Sequence, residues 1–270
     1  MRVLSIANFK GGTGKTVTAV NLAAELADAG RRVLLIDADP QHNATDFYCR
    51  DDAAATLTDV LEGTASPFWP EVVTPTGREG LDLLGSDTGL LRLDLSALAD
   101  GSCEARRRMA DFIGALREDD AFDYVLIDCP PSFTAASVAA LAESDEVILP
   151  TRVDAFSRAG VTELIAQIRS LGRLGAGLRL RVLITMADRT NLSRQGAELL
   201  RSSGLEIFQT EIRDCVKVGE STYAREPLRD YAPRCTAARD YAALARELLA
   251  GEDKDPSTPP RSAQDDRGEA

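Results

Sequence analysis

Between Gly11 and Thr16 the chain reads Gly-Gly-Thr-Gly-Lys-Thr, a run whose residue types suit the holding of phosphate oxygens. Glycines let successive backbone N–H groups point inward at an anion, and a helix opening directly after them adds the positive end of its dipole. In such a loop the Lys15 ammonium reaches the β- and γ-phosphates of a nucleotide, and the Thr16 hydroxyl can ligate Mg2+. Gly11, Gly12, Thr13, Gly14 and Val17 complete the nucleotide-binding set. Lysine is scarce here: of 31 basic residues only Lys10, Lys15, Lys217 and Lys254 are lysines. Two of them in one glycine-rich loop point to chemistry that uses a compact ammonium rather than a planar guanidinium.

Two acidic strings complement the loop. Asp37-Ala38-Asp39-Pro40-Gln41 follows an apolar run, and carboxylates two apart at a strand end face the same way, which suits a Mg2+ water shell and the orientation of an attacking water. Tyr124-Val-Leu-Ile-Asp128-Cys129-Pro130-Pro131 is an apolar strand ending in an aspartate. Asp128 there either meets Mg2+ through water or caps the next helix. The only histidine, His42, follows the first acidic string with no nucleophile paired to it, and reads as an exposed loop substituent.

These groups need a scaffold that delivers them to one edge. Val3–Ala7, Arg32–Ala38, Tyr124–Asp128, Glu146–Pro150 and Leu180–Met186 are apolar runs, the pattern of strands covered on both faces. Between them come helical stretches, such as Ala159–Leu171 with Val161, Leu164, Ile165 and Ile168 on one stripe. The alternation predicts an α/β fold, a doubly wound, mainly parallel sheet with helices on both faces. Residues 50–120 are less regular, with helices expected near Leu57–Gly63, Leu90–Leu95 and Arg106–Arg117 and a strand at Leu81–Leu84. A final helix is expected over 237–250 with Gly251 as its stop, giving one folded domain over 1–250. Residues 251–270 carry three prolines and almost no apolar side chains, so they read as a disordered acidic tail.

The string Lys10–Thr16, KGGTGKT, departs from the common phosphate-loop spelling by placing a lysine five before Lys15. With DADPQ and LIDCPP, it resembles the ParA/MinD family of deviant Walker ATPases, over about residues 1–250. The resemblance implies ATP and Mg2+ as cofactors and a homodimer formed around ATP, in which Lys10 crosses to the partner's nucleotide. It assigns catalysis to Lys10, Lys15 and Asp39, with Asp39 promoting water attack and Asp37, Thr16 and Asp128 on the metal. It places His42 where relatives carry glycine, and Met186 (after Thr185) and Ile212 beside the adenine. Pro150, Asp154, Ser157 and Gly160 echo the passage toward the dimer interface.

Composition narrows the branch. With 43 acidic residues against 31 basic ones the formal charge is −12, which argues against a protein built mainly to coat nucleic acid. Only residues 179–250 have a positive balance, 12 basic against 10 acidic. There the partitioning members of the family keep scattered residues for nonspecific DNA binding, so Arg189, Arg194, Arg213, Lys217 and Arg225 are the DNA-binding candidates; solvated helix faces are the alternative. An acidic end in place of an amphipathic helix disfavours membrane attachment. Met1 entering a strand directly leaves no preceding helix-turn-helix and no signal peptide. Five scattered cysteines without a CxxC pair suggest reduced thiols in a cytoplasmic protein, and the resemblance implies that it is nucleoid-associated. The expected function is a DNA-partitioning ATPase stimulated by a ParB-type centromere-binding partner. The alternative is an ATP-driven positioning or regulatory adaptor that does not bind DNA.

Overall fold

Short runs dominated by Val, Leu and Ile, too brief for stable helices, pair side by side as a parallel sheet. In the computed structural model, which describes residues 1–49, 55–66, 68–100, 104–153, 157–170 and 178–252, the chain runs β1 (Arg2–Ile6), α1 (Lys15–Asp28), β2 (Val33–Asp37), α2 (Asn43–Tyr48), α3 (Leu57–Glu62), β3 (Thr74–Pro75), β4 (Leu81–Leu84), α4 (Leu90–Asp100) and α5 (Glu104–Glu118). It continues through β5 (Tyr124–Asp128), α6 (Ala135–Glu143), β6 (Glu146–Arg152), α7 (Ser157–Ser170), β7 (Arg179–Thr185), α8 (Asn191–Arg201), β8 (Glu206–Ile207), α9 (Val216–Ala224), α10 (Leu228–Tyr231) and α11 (Thr236–Glu252). The strand order is β3-β4-β2-β5-β1-β6-β7-β8. All pairings are parallel except that of the edge strand β3 with β4.

Alternate strand residues feed two cores. Leu34, Ile36, Val125 and Ile127 pack beneath α3 to α7, while Val33, Leu35, Tyr124 and Leu126 pack beneath α1, α2, α10 and α11. Both faces are therefore covered, as the apolar runs require. α1 lies wedged between the sheet and α11, with Leu22 and Leu26 fully buried and the Thr18 and Tyr241 hydroxyls meeting at 3.3 Å.

The order places β5 between β1 and β2, with Asp128 in register with both Ile6 and Asp37. The turn after β1, the turn after β2 and the end of β5 thus meet at one carboxyl edge. β1 also pairs with β6 on its other side, so the connections diverge at that point, where open α/β sheets place their ligands.

Several boundaries differ from expectation. α11 does not stop at Gly251 but runs to Glu252; Gly251 is not among the glycines with positive φ, and a glycine ends a helix only when it turns left-handed. α4 extends to Asp100, well past Leu95. Helices α2 and α8 to α10 and the two-residue strands β3 and β8 were not individually predicted. Cys103, Asp154, Leu171, Lys254 and the tail from 253 onward lie outside the described residues.

Candidate functional site

The glycine-rich loop is tied down on both sides before its helix starts. Asn8, just past β1, donates from its side-chain amide to the Pro150 carbonyl at 2.7 Å and accepts from the Lys10 backbone N–H at 2.9 Å. Farther along, the Thr185 hydroxyl at the end of β7 donates to the Thr13 carbonyl at 2.9 Å. Gly12 and Gly14 take φ of +70° and +87°, a left-handed backbone that side chains disfavour. The space that a Cβ would fill at Gly11, Gly12 and Gly14 is open. α1 begins at Lys15 with Gly14 as N-cap and no side-chain cap, so its first N–H groups face this cradle, as anion sites at helix starts require.

Lys15 is only 8% exposed. Burial pushes its ammonium below the ordinary lysine range, opposed by Asp128, Asp39 and Cys129. Asp128 is 1% exposed, and neither of its carboxylate oxygens has a hydrogen-bond partner; the Thr16 hydroxyl is near enough to influence it. Burial, then Asp37, raise the Asp128 carboxyl well above its usual range, while Thr16 and Lys15 pull the other way. An orphaned buried carboxylate is costly. A hydrated divalent cation between Asp128 and the Thr16 hydroxyl would satisfy it, so these residues fit a metal.

Asp37 sits differently. Its oxygens accept from the Asp39 backbone N–H at 3.1 Å and from both the backbone and hydroxyl of Thr45 at 2.8 Å, fastening the turn that carries Asp39. Burial nevertheless raises its carboxyl to about 6. Asp39, also buried, accepts from the Gln41 backbone at 2.9 Å, and its carbonyl accepts from Ser86 and from the His42 N–H. His42 caps α2 at φ +46° with its ring 3.3 Å from Asp46. A left-handed backbone there accounts for glycine being the fitting residue at this position. Cys129 is buried, with its thiol pushed up to about 12 by desolvation.

Val17, Met186 and Ile212 converge on one slot with Thr185, Cys215 and Tyr241. A bridge between Ala187 and Arg213 holds the two walls together, with Ala187 N–H to the Ile212 carbonyl at 3.0 Å. Met186 adopts φ +51°. Lys10 stands exposed at the rim of a cleft of about 550 Å³ beside α7, with Gly160 and Arg152. The basic candidates are dispersed: Arg189 and Arg225 are exposed, Arg194 bonds Asn191, Arg213 is clamped on Asp240 at 2.5 Å, and Lys217 pairs with Glu220 at 2.7 Å. Asn8 escaped the sequence reading; its signal is a polar residue ending an apolar strand two before Lys10.

The family model described as AAA domain matches residues 1–176. The chain is 38% identical over 260 residues to the chromosome partitioning protein ParA of Caulobacter vibrioides, covering 93% of this chain and 95% of that one. It is 33% identical to the sporulation initiation inhibitor protein Soj of Bacillus subtilis, covering 92% and 98%. Among solved structures, cobyrinic acid a,c-diamide synthase from Mycobacterium smegmatis, with a bound ATP analog and magnesium, superposes with a TM-score of 0.77 at 27% identity over 97% of this chain and all of that one.

Proposed function

The chain belongs to the ParA/MinD family of deviant Walker ATPases, and from that premise we propose that it is a DNA-partitioning switch that binds Mg2+ and ATP, dimerises around the nucleotide, holds DNA without sequence preference and releases it on hydrolysis. One observation carries the nucleotide reading: Lys15 and the unpartnered Asp128 oxygens face each other beneath an open glycine cradle. Mg2+ bound with ATP neutralises the β- and γ-oxygens and polarises the terminal phosphorus.

The protein's own residues do the rest. The Gly11–Thr16 backbone orients the phosphates, Lys15 offsets their charge, and Thr16 and Asp128 hold the metal's shell. Asp37 holds its turn closed, so Asp39 is positioned to orient the attacking water. Val17, Met186 and Ile212 enclose the base. Lys10, exposed at the rim, reaches the nucleotide of a second subunit. Hydrolysis is slow and stimulated by a ParB-type partner.

DNA contact falls to Arg189, Arg194 and Arg225, because Arg213 and Lys217 are already matched by Asp240 and Glu220. Among the described residues no helix is long and apolar enough to cross a membrane. The test is DNA co-sedimentation with Mg2+ and either ATP or ADP at low salt: retention with ATP and release with ADP is expected, and equal retention in both sinks the switch. Loss of nothing on Arg189→Glu would favour the adaptor reading.

A further inference from the structure

The base slot has a wall that nucleotide binding does not explain. Cys215, half-buried, ends the segment that covers the slot and is the N-cap of α9. Cys235, also half-buried, directly precedes α11. Both pack on the same core, and their side chains share the first turn of α11. The Ala238 backbone N–H donates to the Cys235 sulfur at 3.3 Å, while the Cys215 sulfur faces the backbone N–H groups of Lys217 and Ala237, the Thr236 hydroxyl and the Cys235 thiol. Two helices, α9 and α11, thus begin at this pair of sulfurs, α9 without a side-chain cap bond.

We infer that Cys215 and Cys235 are a reactive dithiol, which hydrogen peroxide converts to an intramolecular disulfide that fixes the wall of the base slot. The second half of this inference rests on the nucleotide reading of the slot.

Thiolate character selects the attacking sulfur. Those surrounding donors outweigh burial and hold the Cys215 thiol below its ordinary range, and the Arg213 and Lys217 cations sense its charge. Asp240 and Glu220 partly offset those cations. Cys235 is shifted upward, by burial first and by its neighbour's charge next, so it keeps its proton and resolves. In the first step the Cys215 thiolate attacks one peroxide oxygen: an S–O bond forms, the O–O bond breaks, and the departing hydroxide takes a proton to become water. In the second the Cys235 sulfur attacks the Cys215 sulfenic acid: the S–S bond forms, the S–O bond breaks, and the hydroxide leaves as water with the Cys235 proton. Two thiols lose two electrons and one peroxide gains them. Cys215 lines the slot with Met186, Ile212 and Tyr241, so the new bond anchors the covering segment to α11 and hinders its opening.

The test uses the reduced full chain, treated with hydrogen peroxide, alkylated and peptide-mapped by mass spectrometry. A Cys215–Cys235 linked peptide is expected, absent in Cys215→Ser. In Cys235→Ser a sulfenic acid at Cys215 is trapped by a 1,3-dione reagent. Before oxidation, iodoacetamide at neutral pH labels Cys215 several-fold faster than Cys49 and leaves Cys129 untouched. Oxidation slows release of a fluorescent ATP analogue several-fold, dithiothreitol restores it, and Cys235→Ser does not respond to peroxide. Recovery of both thiols reduced, or linkage through other cysteines, overturns the dithiol, and a linked peptide with unchanged release overturns its hold on the slot. A reduced protein that binds no nucleotide sinks the ATPase reading, and the linked peptide still decides the dithiol by itself.

Discussion

Asp128 is the residue at which stability and function pull apart. Its two buried oxygens find no hydrogen-bond partner and lie near Asp37, so the ligand-free protein carries a cost that a bound cation removes. Asp128→Asn takes away the charge at nearly constant volume. The ligand-free variant is expected to melt no lower than the unaltered protein but to lose the Mg2+-dependent gain with ATP. For the unaltered protein, ligand at 100 times its Kd contributes about 2.7 kcal/mol, or a melting rise of roughly 5–10 °C at this size. A variant that keeps this rise removes Asp128 from the metal site. The Asp39 side chain bonds within its own turn, so Asp39→Ala should leave binding intact, block hydrolysis and trap the dimer; a monomer in size-exclusion with ATP would count against its role. His42 at φ +46° bears a left-handed strain of about 1–2 kcal/mol, partly offset in the unfolded chain because glycine is more flexible there. His42→Gly should therefore stabilise by up to about 1 kcal/mol and retain ATP binding, whereas His42→Val, β-branched, should destabilise. A lower melting point for His42→Gly contradicts this.

At the scale of elements, the phosphate loop is shaped by strands remote in sequence. Thr185 and Thr13 are 172 residues apart, and their bond is buried. Thr185→Val keeps the shape and removes the donor, leaving the Thr13 carbonyl unpaired at a cost of about 1–3 kcal/mol. Calorimetry should show a lower melting point together with weaker nucleotide binding; unchanged affinity would mean the loop holds its form without β7. The same pair illustrates what was legible beforehand. VLLID and YVLID announce themselves because strands covered on both faces must be apolar throughout and each ends in one carboxylate. Asn8, Thr45 and Thr185 are ordinary polar residues until β6, β2 and β7 take their places around β1, and spacing along the chain does not say which strands become neighbours. α9, VKVGESTYA, mixes glycine and β-branched residues, so neither propensity nor an apolar stripe announces it as a helix. The division of Asp37 and Asp128 into a fastener and an unpartnered carboxylate likewise depends on Thr45 reaching back over eight residues.

For the whole molecule, a formal charge of −12 sets the terms on which DNA can be held. A chain of that charge is repelled by phosphate at long range, so retention must come from a few arginines brought together when two subunits pair, and it must be strongly salt-dependent. If Arg189, Arg194 and Arg225 of each subunit contact phosphate, the six contacts give a log–log salt slope of about −5, and affinity falls about a thousandfold between roughly 50 and 200 mM salt. Arg189→Glu removes one contact from each subunit, so the slope should shrink by about 2 while ATP-dependent dimerisation is unchanged. Arg213→Ala tests the opposite expectation. Its guanidinium is clamped on Asp240, and its loss should lower stability by leaving that carboxylate unmatched, with little change in the slope. Fluorescence anisotropy of labelled duplex DNA at several salt concentrations reads both numbers. A slope near zero with ATP bound, or one that Arg189→Glu leaves unchanged, would mean that the positive balance of residues 179–250 serves the protein's own ion pairs and not a phosphate backbone.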